Sequence, residues 1–144
     1  MDFTLNAEQT ALQETVRRFA DGELRDAAKQ IEEADQAPGP EIMKQFADMG
    51  LLGVNIDENL GGVGGSHLDA VLVLEEVAKL SPALAFPIFE SCFGPVLAIA
   101  HFAPEAMRER IVPKVCDGEM MVAVAMSEPN AGTALTDLTT KAEV

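Results

Sequence analysis

The chain has 144 residues, enough for one domain with its own core and for no more than a fragment of a second. Hydrophobic residues make up 48%, with seven Met and seven Phe but no Trp or Tyr, which excludes disorder and favours a helical core of aliphatic side chains filled in by Met and Phe. A formal net charge of -14 sets the molecule against a nucleic-acid backbone or an anionic membrane surface, so any anionic ligand must be held by local groups.

The opening MDFTLNAEQ carries an acid, Asp2, and no apolar segment, unlike a signal peptide. Asn6 and Gln9 have the spacing of a capping box, which predicts a helix from Ala7 with Leu12, Val16 and Phe19 on one face. Gly22 marks a possible break, after which Leu24, Ala27, Ala28 and Ile31 continue the apolar stripe; the segment reads as an amphipathic hairpin arm or a long kinked helix. Pro38, Gly39 and Pro40 end it. A short helix from about Glu41 to Met49 follows, with Gly50 placed for a left-handed residue beyond its end. Asp57 to Gly65 is turn chemistry. Its glycines, Gly61, Gly62, Gly64 and Gly65, have no Gly-Lys-Ser/Thr after them, so a tight surface turn is favoured over a phosphate loop.

Ser66 with Asp69 caps the next helix, expected to be central and largely buried, with Leu68, Val71, Leu72, Leu74, Val77 and Ala78 as its packing surface and Asp69, Glu75, Glu76 and Lys79 as a narrow polar stripe. From Pro82 to Ala103 the ionisable groups are Glu90 and His101, apart from the Cys92 thiol, and the run is nearly long enough to span a bilayer. Pro82, Pro87, Pro95 and Gly94 argue instead for a broken helix buried in protein, with no membrane span. Glu90 either lines a polar opening or faces water. His101 reads as a core or rim residue and His67 as a solvated one, so no metal site is expected. Cys92 and Cys116 form no CxxC pair and read as reduced thiols of a cytoplasmic protein.

Pro104 opens a charged helix through Met107 and Arg110, and Pro113 restarts a short turn ending at Gly118. The pattern then changes. MMVAVAM, between Gly118 and Ser127-Glu128-Pro129-Asn130, is a buried-strand signal. The expected organisation is a helical domain over 1–118 followed, over 119–144, by the beginning of a β domain too short to close a core.

The segment AVAMSEPNAGTALTDL, residues 123–138, resembles the acyl-CoA dehydrogenase signature through Ser127, Glu128, Pro129, Ala131, Gly132 and Thr133. Upstream, MGLLGVNIDENLGGVGGS at 49–66 and EAMRERIVPKVCDGE at 105–119 resemble that family's stretches, in the family's order. The sequence departs from the family at Leu60, where an aromatic is common, and at Ala134, where an Asp is. The resemblance implies a mainly α fold, an N-terminal helical bundle followed by the first strand and turn of a β-barrel domain. It also implies an oxidoreductase that uses FAD to dehydrogenate an acyl-CoA substrate, passing electrons to an electron-transfer partner protein and working as a homo-oligomer. An isoalloxazine edge needs directional hydrogen bonds and a diphosphate needs closely approaching amides. Met126 and Ser127 suit the first, Gly132 and Thr133 the second. By position, Phe86, Phe89 and Phe93 are candidate walls of the acyl pocket. No residue here is expected to be the catalytic base, which the family carries further along, and Glu128 is expected to be structural. The alternative is a non-catalytic helical subunit or interaction domain that needs another chain to complete any site.

Overall fold

A computed structural model describes residues 4–143; the acidic start at Asp2 and the terminal Val144 lie outside them. Among these described residues seven α-helices follow in order: α1 (Ala7–Phe19), α2 (Arg25–Ala34), α3 (Pro40–Asp48), α4 (His67–Leu80), α5 (Pro82–Cys92), α6 (Pro95–Phe102) and α7 (Glu105–Cys116). The Asn6 side chain accepts from the Gln9 amide while Gln9 reaches back to the Asn6 amide, and Ser66 and Asp69 do the same for α4. Both capping boxes therefore form as their spacing predicts.

The first two helices are one kinked element, joined by a π-helical turn over Ala20–Leu24 that contains Gly22. Its cause is legible in burial: Val16, Ala20, Leu24 and Ala28 are all buried, at a strict spacing of four. An α-helix turns about 400° in four residues, so such a stripe drifts by about 40° per step. A wider turn in the middle takes up that drift and keeps all four on the core.

Helix α4 packs on α1 to one side and on α5 to the other, and α6 packs on α7. Two cores result. The first joins Val16, Leu24, Phe46, Leu52, Val73, Val77, Leu84 and Ile88, among others; the second joins Ile56, Leu60, Val96, Val112, Val115 and Cys116. Leu60, where the resemblance led to an aromatic being expected, is buried in the second core.

Four expectations are corrected. Leu68 and Val71 stand at the surface, whereas Glu76 is only 3% exposed. The Arg17 guanidinium grips that carboxylate through Nε and Nη2, at 3.1 and 3.0 Å, and Lys79 donates to it at 2.6 Å. The apolar run divides at Phe93 and Gly94 into α5 and α6, with Pro95 at the start of α6, but Pro87 is carried inside α5, Phe86, Phe89 and Phe102 are exposed, and the run is buried on one side only. Helix α7 continues through Pro113, since burial of Val112 before it and Val115 after it offsets one lost amide donor. Finally, no strand is paired among the described residues; a lone apolar run has no neighbour here with which to exchange ladder hydrogen bonds.

The glycine-rich loop is a tight turn whose amides are already used. Gly62, Gly64 and Gly65 donate to the carbonyls of Asp57, Ile56 and Val54, which leaves none of the three for a phosphate. A Cβ on Gly62 would lie 2.1 Å from the Ile56 carbonyl oxygen, so only glycine fits this close approach.

Candidate functional site

Beyond α7 the chain is led out by Gly118, whose φ of +73° turns it away from the helix end. Met120 and Val122 pack on the second core, while Met121, Val124 and Met126 point to solvent. The tail is thus pinned at its root and free along its outer face.

At residues 128–131 the backbone folds on itself. Glu128 N–H donates to Ala131 O at 2.9 Å and Ala131 N–H returns to Glu128 O at 3.1 Å, with Ala131 buried. The Glu128 carboxylate then reaches along the tail: Oε2 accepts from the amide and hydroxyl of Thr139 at 2.9 and 2.8 Å, and Oε1 from the Thr140 amide at 2.7 Å and from its hydroxyl. Hydrogen bonds from the Thr140 hydroxyl first, then from the Thr139 and Thr140 amides, hold this carboxyl down to about 2. An acid so fully committed to accepting is held as an anion at neutral pH.

The four residues nominated as cofactor donors stand around this closed loop. Met126, Ser127, Gly132 and Thr133 are all exposed. The amides of Gly132 and Thr133 and the hydroxyls of Ser127 and Thr133 have no protein partner among the described residues. A Cβ on Gly132 would meet nothing within 4 Å, so the approach to the backbone is open. This set of neutral, unspent donors fits the diphosphate and polar ring edge of a flavin dinucleotide. Ala134 caps the following short 3-10 turn, Leu135–Asp137, without a side-chain acceptor, which is the consequence of its departure from Asp.

The aromatic residues nominated as pocket walls form one row along α5 and its C-cap, Phe93. Phe86 and Phe89 have ring centres 5.8 Å apart and Phe89 and Phe93 6.1 Å, and His67, at the start of α4, meets Phe93 edge-on at 6.5 Å. Phe86 is 60% and Phe89 41% exposed, whereas Phe93 is half-buried against the first core, so the row runs from the surface to the edge of that core. Glu90 takes neither of its expected places: its Oε2 is closed off from solvent beside Gly94 without a hydrogen-bond partner, and the residue borders a small void with Pro87, Ser91, Met120 and Val122. His101 is exposed, at the rim and not in the core. The thiols of Cys92 and Cys116 are free and buried; burial pushes both up, Cys116 to about 11, which makes them poor nucleophiles.

Sequence reasoning missed a cavity of about 480 Å³ where the starts of α1 and α4 meet, lined by Leu12, Leu51, Val54 and Val73 beneath Asn6 and Ser66. Its acids are Glu8 and Asp69, and Asp69 is held below the usual carboxylate range chiefly by the Ser66 hydroxyl of its capping box. None of the nominated residues lines it.

A family model described as acyl-CoA dehydrogenase, N-terminal domain, matches residues 6–119. The mitochondrial isovaleryl-CoA dehydrogenase of Bos taurus is 34% identical over 140 residues, covering 96% of this chain and 33% of that protein. The acryloyl-CoA reductase (NADH) of Anaerotignum propionicum is 34% identical over 133 residues, covering 92% of this chain and 33% of that one. Among solved structures, a glutaryl-coenzyme A dehydrogenase complex with glutaryl-CoA superposes with a TM-score of 0.88 at 30% identity, covering 96% of this chain and 36% of the other. The chain spans about a third of the length of the curated relatives it matches.

Proposed function

The chain belongs to the acyl-CoA dehydrogenase family, and from that premise we propose that it forms the N-terminal helical domain, over 1–118, and the beginning of the β domain, over 119–144, of an FAD-dependent enzyme that dehydrogenates an acyl-CoA thioester between its α and β carbons. The observation that carries this reading is the turn at 126–133, on which Ser127, Gly132 and Thr133 are exposed and present neutral donors with no protein partner among the described residues.

In such an enzyme FAD supplies the acceptor for the hydride that leaves the β carbon, and a carboxylate base from outside this chain removes the α proton. This chain's residues bind and orient. The Met126 backbone and Ser127 hydroxyl serve the polar edge of the ring, and the Gly132 and Thr133 amides with the Thr133 hydroxyl serve the diphosphate. The row Phe86, Phe89 and Phe93 offers an apolar wall to the acyl chain, excluding water from it. The same binding groups serve the reverse reduction, the activity named for the A. propionicum relative; which direction runs depends on the electron partner. Dehydrogenation is the reading we favour, with an electron-transfer protein as acceptor and the enzyme acting as a homo-oligomer.

The test uses the whole protein that carries this chain. Losing one neutral donor costs about 0.5 to 1.5 kcal/mol, and more when its acceptor is a phosphate oxygen. Thr133→Val should lower the ratio of flavin to protein absorbance after dialysis more than Ser127→Ala, which should chiefly change the flavin spectrum and its rate of reduction by an acyl-CoA. Full flavin and parental reduction in both variants would remove these residues from the site.

A further inference from the structure

We infer that Glu128 is the positioning residue of the flavin turn: its carboxylate clamps Thr139 and Thr140 and thereby fixes the loop on which Ser127, Gly132 and Thr133 present their donors. This rests on the flavin reading of those residues, and it assigns a role to a side chain that would touch no cofactor.

The argument starts from what holds the loop. No regular ladder crosses residues 119–143, and among the described residues the Glu128–Ala131 pair is the lone β-bridge. The loop between Glu128 and Thr140 is almost wholly exposed, with Ala131 its one buried side chain, so apolar packing contributes little to its shape. What closes it is one carboxylate taking four donors, two amides and two hydroxyls, from consecutive residues. Each oxygen takes the amide and hydroxyl of a single threonine, so orientation is fixed as well as distance. Hydrogen bonds to an ionised acceptor are about twice as strong as neutral ones.

Gly132 and Thr133 lie inside the span so closed, and Ser127 stands at its edge. Ser127 directly precedes the clamping residue, and Gly132 and Thr133 follow the buried Ala131. A loop left open would have to lose its conformational freedom on binding flavin, at the expense of affinity; a loop closed beforehand does not. The clamp is also indifferent to physiological pH, because its carboxyl stays ionised far below neutrality. Glutamine is the discriminating substitute. It keeps the shape but turns one accepting oxygen into a donating NH₂, which must face the donors of Thr139 or Thr140.

Two measurements test this. In the 144-residue chain, hydrogen exchange at the Thr139 and Thr140 amides should be slow, and faster by about tenfold or more in Glu128→Gln. In the whole protein, the FAD dissociation constant should rise about tenfold in Glu128→Gln, less in Thr140→Val, which keeps its amide donor, and not at all in Thr140→Ser, which keeps both. Helical circular dichroism should be unchanged in all three. Thr133→Val serves as the control for the site itself. If it weakens flavin binding while Glu128→Gln loosens the amides and leaves the dissociation constant unchanged, the positioning role is wrong and the flavin reading stands. Should neither variant affect flavin, both the reading and the role built on it are overturned.

Discussion

Glu76 shows how far a residue's surroundings can depart from its neighbours in sequence. Its helical position gave every sign of a solvated stripe, yet Arg17, 59 residues earlier, reaches across to it and Lys79 closes the other side. The carboxyl is held below its ordinary value first by the hydrogen bonds from Arg17, against the opposing effect of burial, and then by Lys79. A folded pKa that is lowered adds stability above the unfolded value, near 4.5, and that stability is lost as the pH falls through the lower folded value. Removing one partner of a buried pair is worse than removing the charge itself. Arg17→Met should therefore lower the urea midpoint at pH 7 more than Glu76→Leu does, and the gap should narrow below about pH 4.5. Equal midpoints at pH 7 would mean that Lys79 alone suffices. The capping boxes at Asn6 and Ser66 were legible because both partners lie within four residues; the Arg17–Glu76 pair was not, because its partners meet only after two helices have packed.

At the scale of elements, helix order, the loop at 57–65 and the break at Gly94 could be read from local chemistry. The π-turn could not, because an apolar spacing of four is compatible with any helix until burial reveals which positions share a face. The strand expected over 120–126 failed for a related reason: a strand is defined by its partner, and a single sequence segment does not carry one. Likewise the unspent donors at 127–133 were nominated by resemblance, while the clamp that orders them spans a longer interval than a turn motif and has no local signature. Two glycines separate the roles of these elements. A Cβ on Gly22 would meet nothing within 4 Å and its φ is not positive, so Gly22→Ala should stabilise the π-turn segment by about 0.5 to 1 kcal/mol. Gly62→Ala drives a Cβ into the Ile56 carbonyl and should destabilise markedly. Urea denaturation of both variants checks this; a destabilised Gly22→Ala would show that the wide turn needs glycine's freedom and not merely its space.

For the molecule as a whole, the proposed reading puts one edge of a flavin site on a strongly acidic body. Electrostatics give a dinucleotide no general attraction here, so binding depends on completing the site. Calorimetric titration of the 144-residue chain with FAD should find no tight binding. A submicromolar dissociation constant, about -8 kcal/mol or stronger, would show that the turn suffices by itself. The division into two cores has a further consequence, in time. The buried members of the first core are all present once Cys92 has been synthesised, whereas the second gains its last packing partners, Met120 and Val122, only at the root of the tail. A growing polypeptide condenses from its early residues, so the first core can close on the ribosome while Val96 and Val112 still lack their cover. The root of the tail thus arrives as the closing piece of a nearly finished helical body, and the donor turn is delivered from an anchor already in place.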